Sequence, residues 1–164
     1  MNDVIKDVMK IGIAGIGTVK TPQKIRTAGL GSCVGVVLFD SSRQIGGMVH
    51  IMLPDSSIAK GDNFNEGKFA DTGVKLLQIL LAKEGARSLA AKLAGGAQMF
   101  QFSGGGDLMR IGPRNVEAVK HELAKLGIPI LSEDTGGSCG RTIEFDPMNG
   151  ELQVKTATRG ISVI

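Results

Sequence analysis

Cys33-Val34-Gly35-Val36-Val37-Leu38-Phe39, then Asp40-Ser41-Ser42-Arg43, then Gln44-Ile45-Gly46-Gly47-Met48-Val49-His50-Ile51-Met52 is the stretch that decides how this chain reads. Its two ends are apolar and rich in β-branched residues, and its middle is made of turn formers. The three pieces predict an antiparallel hairpin. Paired residue numbers in such a hairpin have a constant sum, so the loop fixes every partner. A loop of Ser41-Ser42, or of Asp40 to Arg43, sets Cys33 directly opposite His50, with Cβ atoms about 5 Å apart. A thiol beside an imidazole is the minimal activated nucleophile. A slip of one residue would send the two side chains to opposite faces.

The run Gly29-Leu30-Gly31-Ser32 leads into that strand. Gly31 has backbone angles open to it that other residues lack. The run therefore predicts a sharp entry that exposes the Cys33 thiol. It also turns backbone N–H groups near Ser32 and Cys33 toward a bound carbonyl, as an oxyanion hole requires. The competing reading is a packing cysteine, since free Cys is among the most buried residue types. His50, between Val49 and Ile51, has its own competing reading as a satisfied core histidine. Gly35 and Gly46 thin the same sheet face and predict a shallow opening beside the pair. A thiolate–imidazolium pair there would lower the thiol's pKa. An imidazole base also needs an orienting group. Thr27, six residues before Cys33, is one candidate, and on spacing Asp71, Asp134 and Asn115 serve as well.

The rest of the chain reads as one domain, residues 1–164, of α+β class. Met9 to Val19 reads as a small-residue strand, Thr21-Pro22-Gln23 as a turn and Ile25 to Ala28 as a short strand. Pro54 to Asn65 is a polar loop. Glu66 to Lys83 is a helix with Phe69, Val74, Leu77, Leu80 and Leu81 on one face, ended by Gly85. Leu89 to Ala94 is a strand. A second helix starts at Pro113 or Arg114, buries Val116, Val119, Leu123 and Leu126, and ends at Gly127. Ile128 to Leu131 is a strand. Thr142 to Phe145 and Leu152 to Lys155 form a second hairpin around Pro147-Met148-Asn149-Gly150. The expectation is mostly antiparallel sheet, with helices packed on an outer face.

Composition narrows the function classes. The 164 residues are 42% hydrophobic and 21% charged, and carry a net charge of +3. No stretch approaches the ~20 apolar residues of a membrane helix. The mixed charges of Met1 to Asp7 do not make a signal peptide, so no membrane insertion and a cytoplasmic location are expected. The basic residues are dispersed and all six aromatics are Phe, a poor match to nucleic-acid binding. Two separated cysteines and two histidines give no metal framework. Gly95-Gly96, Gly104-Gly105-Gly106 and Gly136-Gly137 match no phosphate-binding spacing, so no cofactor is expected. Asp134 and Arg141 can pair within a turn-rich loop. Cys139 and His121 read as non-catalytic. Met99-Phe100-Gln101-Phe102 is a candidate docking segment, through Phe100 and Phe102, or else part of the core.

Several motifs taken together resemble the bacterial chemotaxis family CheD. They are Gly29 to Gly35, Gly46 to Pro54, Ala70-Asp71-Thr72-Gly73, Gly95 to Phe100, Ile111-Gly112-Pro113-Arg114-Asn115 and Asp134-Thr135-Gly136-Gly137. The resemblance runs from about Ile11 to Val154. It implies a chemoreceptor glutamine deamidase, and the thiol–imidazole pair predicts that the reaction runs through a Cys thioester. It implies a cysteine–histidine–threonine triad at Cys33, His50 and Thr27; the Gly-rich run read above adds Ser32 and Gly31 at the oxyanion and substrate position. It also implies a layered α/β sandwich with no metal or cofactor, and two partners. These are methyl-accepting chemoreceptors, as substrate, and a CheC-type phosphatase that the protein binds and stimulates. The alternatives are a mainly non-catalytic binding module for receptors and CheC, or a cysteine protease or amidase acting on small substrates.

Overall fold

Both strands of the expected hairpin, Val34–Asp40 and Ile45–Ile51, are buried at every position. A strand with one wet face alternates; a strand covered on both faces does not. The hairpin is thus the middle layer of a stack. The computed structural model describes residues 7–59, 64–99 and 110–164. In chain order its elements are β1 (Val8–Lys10), β2 (Ile16–Lys20), β3 (Lys24–Leu30), β4 (Val34–Asp40), β5 (Ile45–Ile51), α1 (Ala70–Lys83), β6 (Ala90–Gly95), α2 (Ile111–Leu126), β7 (Ile130–Thr135), β8 (Arg141–Asp146), β9 (Glu151–Thr156) and β10 (Gly160–Val163).

The strands form two five-stranded sheets, ordered β1-β3-β8-β9-β10 and β2-β5-β4-β6-β7. Two pairings, β1 with β3 and β6 with β7, are parallel, and the rest are antiparallel. The first sheet packs on the second through Ile25, Val37, Phe39, Met48, Ile143, Phe145 and Leu152. The helices cover the other face of the second sheet, where Val34, Val36, Leu38, Val49 and Ile51 meet Val74, Leu77, Leu81, Val119 and Leu123. The outer sheet has one wet face, and β8 and β9 accordingly alternate buried and accessible residues. The α+β sandwich with helices on one outer face is as expected from the sequence. Among the described residues, no helix is long and apolar enough to cross a membrane.

Four local expectations shift. The strand expected over Met9 to Val19 is two strands in different sheets, divided by a turn in which Ala14 takes a left-handed φ of 61°. The helix expected from Glu66 begins at Ala70. Glu66–Lys68 form a 3-10 turn capped by Asn65, and Phe69 stays extended to bridge Leu53. The second helix begins at Ile111, which puts Pro113 inside its first turn, where no intrahelical donor is lost. The edge strand β10 is additional to the reading above.

The fourth shift concerns the hairpin. Its loop is Ser41 to Gln44, and Asp40 pairs with Ile45. Asp40 is fixed as a strand residue by its carboxylate. One oxygen accepts from the Ser42 N–H and hydroxyl, and the other from the Arg87 and Ser88 N–H groups. Moving the loop by one residue moves the register by two. His50 therefore opposes Gly35, and Cys33 is its diagonal neighbour. A two-residue shift preserves the face, so Cys33 and His50 still share one side of the sheet, at about 7 Å rather than about 5 Å.

Candidate active site

Thr27, on β3 of the outer sheet, meets His50, on β5 of the central sheet, across the sandwich. Both are buried. Thr27 Oγ1 lies 2.8 Å from His50 Nδ1 and donates to the Ile11 carbonyl at 2.9 Å. A hydroxyl has one proton. With that proton on Ile11 O, the 2.8 Å contact is Nδ1–H donating to Thr27 Oγ1. The imidazole is therefore the Nδ1–H tautomer and Nε2 carries a lone pair. Nε2 is buried and, among the described residues, has no hydrogen-bond partner. Of the orienting candidates, Thr27 is the one that touches the ring. Asp71 instead accepts from the Ser56 N–H and hydroxyl, and Asp134 pairs with Arg141 at 3.1 Å and with Arg159 at 3.1 Å.

The turn between β1 and β2 holds this arrangement from behind. Ile11 O takes the Thr27 proton, Ala14 N–H donates to His50 O, and His50 N–H donates to Gly15 O. Sequence reasoning missed this turn because Gly12 and Gly15 read as small strand residues. The two glycines three positions apart were its only signal.

Cys33 is half-buried, as a free thiol packed at the edge of the inter-sheet core. Three successive carbonyls of its loop are held. Ala97 N–H donates to Gly31 O and Gly96 N–H to Cys33 O, both at 2.8 Å. The Asn115 side-chain amide donates to Ser32 O at 3.0 Å. Among the described residues, the N–H groups of Ser32 and Cys33 donate to no backbone or side-chain acceptor. Gly31 N–H, by contrast, is engaged by Gly29 O at 3.1 Å. The left-handed glycine of the run is Gly29, with φ 74°. Gly31 lies beside Met99: a Cβ there would make an ordinary contact with Met99 Cγ at 3.4 Å.

Two expectations about the surroundings of the pair are corrected. Gly35 and Gly46 open no space beside the pair, because the outer sheet fills it. A Cβ at Gly35 would lie 2.5 Å from Ile143 Cδ1, and one at Gly46 2.5 Å from Phe145 Cε2. The resting pair is also not ionic. Burial raises the Cys33 thiol above 9.0, partly offset by its own backbone N–H, and burial lowers His50 below 6.5. Both groups are neutral at pH 7, so a proton has to move when the thiol reacts.

Cys139 lies 3.4 Å from the Thr158 hydroxyl, and His121 is exposed on α2. Phe100 and Phe102 lie outside the described residues, whereas Met99 is 45% exposed. Among the described residues, no three His, Cys, Asp or Glu side chains converge as metal ligands would.

A family model described as CheD chemotactic sensory transduction matches residues 52–156. That span starts just beyond His50. Full-length relatives cover the site as well. The chain is 56% identical over 158 residues to the chemoreceptor glutamine deamidase CheD of Halalkalibacterium halodurans, covering 95% of this chain and 98% of that one. It is 52% identical to the protein of the same name from Bacillus licheniformis, covering 96% and 95%. It is 51% identical to that of Bacillus subtilis, covering 96% of each.

Proposed function

This chain belongs to the CheD family, and from that premise we propose that it is a chemoreceptor glutamine deamidase with Cys33 as nucleophile, His50 as general base and Thr27 as the group that orients the base. The observation that carries the reading is the Ile11–Thr27–His50 relay, which leaves the Nε2 lone pair without a partner among the described residues, on the sheet face that also carries Cys33.

The chemistry then runs in two halves. Nε2 takes the Cys33 proton as the sulfur attacks the side-chain carboxamide carbon of a receptor glutamine. The Ser32 and Cys33 N–H groups hold the oxygen of the tetrahedral adduct. Imidazolium Nε2–H protonates the departing nitrogen, and ammonia leaves a thioester. Nε2 next takes a proton from water, hydroxide attacks the thioester carbon, and the thiol is reprotonated as glutamate is released. Each turnover converts a neutral side chain on the receptor into an anion, which biases the receptor's signalling equilibrium.

The family resemblance extends the proposal to a CheC-type phosphatase as a second partner. Met99 supports it. The residue is an exposed apolar side chain against Gly31, two residues before the nucleophile. A protein seated there would cover Cys33 and compete with receptor. Met99→Glu is expected to weaken both associations, and unchanged affinity for both would reject this surface.

The test of the activity is peptide mass spectrometry on the cytoplasmic part of a chemoreceptor incubated with the protein. Conversion of defined glutamines to glutamate, abolished by Cys33→Ala, is the expected result. No conversion on several folded receptors would leave a binding module.

A further inference from the structure

The central hairpin stops pairing one residue short of the nucleophile. The last partners of β4 and β5 are Val34 and Ile51. Continued pairing would join Ser32 to Leu53, but Leu53 is diverted. Its N–H donates to Lys68 O, as does that of Met52, and its own carbonyl accepts from Ala70. One side chain spans the gap. Asn115, fully buried on α2, donates from Nδ2 to Ser32 O at 3.0 Å and to Met52 O at 2.9 Å. Both acceptors are carbonyls, so the orientation of the carboxamide is settled. Among the described residues its Oδ1 is buried with no partner. The donors are evidently what this position supplies.

The helix reaches so close because Gly112 carries no side chain. A Cβ there would lie 2.2 Å from Ala97 O and 2.6 Å from Gly96 O. The same Gly96–Ala97 backbone grips Cys33 O and Gly31 O from the other side. Ser32 O, the middle carbonyl, is left to Asn115.

A trans peptide unit is planar, with C=O and N–H pointing in opposite directions. Ser32 C=O and Cys33 N–H belong to one such unit. Whatever holds the oxygen aims the hydrogen, and a hydrogen bond at the oxygen polarises the amide and strengthens its N–H as a donor. We propose that Asn115 is a positioning residue for the reaction: it clamps the Ser32–Cys33 peptide so that the Cys33 N–H faces the carboxamide oxygen under attack, and it replaces the missing strand pairs that would otherwise hold Cys33 in its place diagonal to His50. This inference rests on the deamidase reading above.

The test compares two rates in Asn115→Ser and Asn115→Leu. Deamidation needs the oxyanion donor, whereas alkylation of Cys33 by iodoacetamide displaces iodide and needs none. The expected result is kcat reduced about 10- to 100-fold with KM nearly unchanged, alkylation within about twofold of wild type, and a smaller kcat loss in the Ser variant, which keeps a hydroxyl donor. Wild-type kcat in a folded Leu variant would overturn the proposal, as would equal losses in both rates. If wild type itself converts no receptor glutamine, the deamidase reading fails rather than this one. A measurement on the wild-type protein is independent of any variant's folding. The Cys33 amide proton is expected to exchange with solvent far faster than that of Val34, because it is uncommitted. Protection of Cys33 equal to that of Val34 would overturn the proposal.

Discussion

Thr27 Oγ1 accepts the Nδ1 proton of His50 at 2.8 Å while giving its own proton to Ile11 O at 2.9 Å. A hydroxyl thereby does what a carboxylate does in other triads, but without a charge. It fixes which ring nitrogen is basic, and it offers no anion to stabilise the imidazolium. That agrees with a His50 pKa lowered by burial rather than raised by a partner.

Thr27→Val keeps the shape of the side chain and removes the acceptor. Deamidation is expected to fall about 100-fold. The orphaned Nδ1–H should cost about 1–3 kcal/mol of stability. Thr27→Ser restores the hydroxyl and should recover most of both. A valine variant with wild-type kcat would remove Thr27 from the mechanism.

The class of the fold was legible because periodicity and turn chemistry are local. The α2 face, the Gly127 cap and the β8–β9 hairpin all come from residues within one element. The register was not legible, because it is set from outside the hairpin. The Arg87 and Ser88 amides, 47 and 48 residues away, bind Asp40 and move the loop by one position. The site survived that error because a double slip preserves the face. Thr27 among four orienters was undecidable by spacing, since the choice depends on how the second sheet stacks on the first. Asn115 drew notice for the wrong reason, as an orienter of the imidazole, when it holds backbone.

The neutral thiol and neutral imidazole predict a particular pH response. His50 is protonated only below its usual 6.5, so deamidation should hold its plateau to below that pH and fall with more acid. Alkylation of Cys33 by iodoacetamide should keep rising as pH passes 9.0, since the thiol is raised by burial. An alkylation rate already flat from pH 6 to 9 would mean a preformed thiolate and a different resting state. The linkage to folding has the same sign. The unfolded chain takes up the His50 proton more readily, so stability drops as pH falls through 6.5 toward the lower folded value.

Gly35 faces His50 across the hairpin and lies under Ile143 of the outer sheet. Gly35→Ala drives a methyl to 2.5 Å from Ile143 Cδ1. The expected cost is about 1–3 kcal/mol in a urea melt, with lower activity because the strand beside the base is displaced. Ile143→Val removes the methyl that clashes. The double variant should therefore be more stable than the sum of the two single changes, by about 0.5–1 kcal/mol or more. Strict additivity would show that the sheet spacing is not what Gly35 protects.

Asp40 carries the last prediction, because the register of the whole site depends on it. Its carboxylate accepts from Ser42, Arg87 and Ser88 and is almost entirely buried. Those donors, the Arg87 N–H foremost, hold its pKa down at about 2. A depressed carboxyl contributes stability that is complete above its unfolded value of 3.8 and is lost as pH falls from there toward 2. Asp40→Asn presents a donor where two backbone N–H groups need an acceptor. At pH 7 it should cost about 1–3 kcal/mol, and the gap between wild type and variant should shrink steadily below pH 3.8. Comparing the two proteins cancels the other carboxyls, which titrate in both. Asp40 lies at the loop end of β4 and Cys33 just beyond its other end, so kcat per folded molecule should change little if the variant keeps Asp40 paired with Ile45. A loop that moved back to Asp40–Arg43 would restore the direct Cys33–His50 pairing and change kcat. Stability and turnover measured on the same samples would separate the two outcomes.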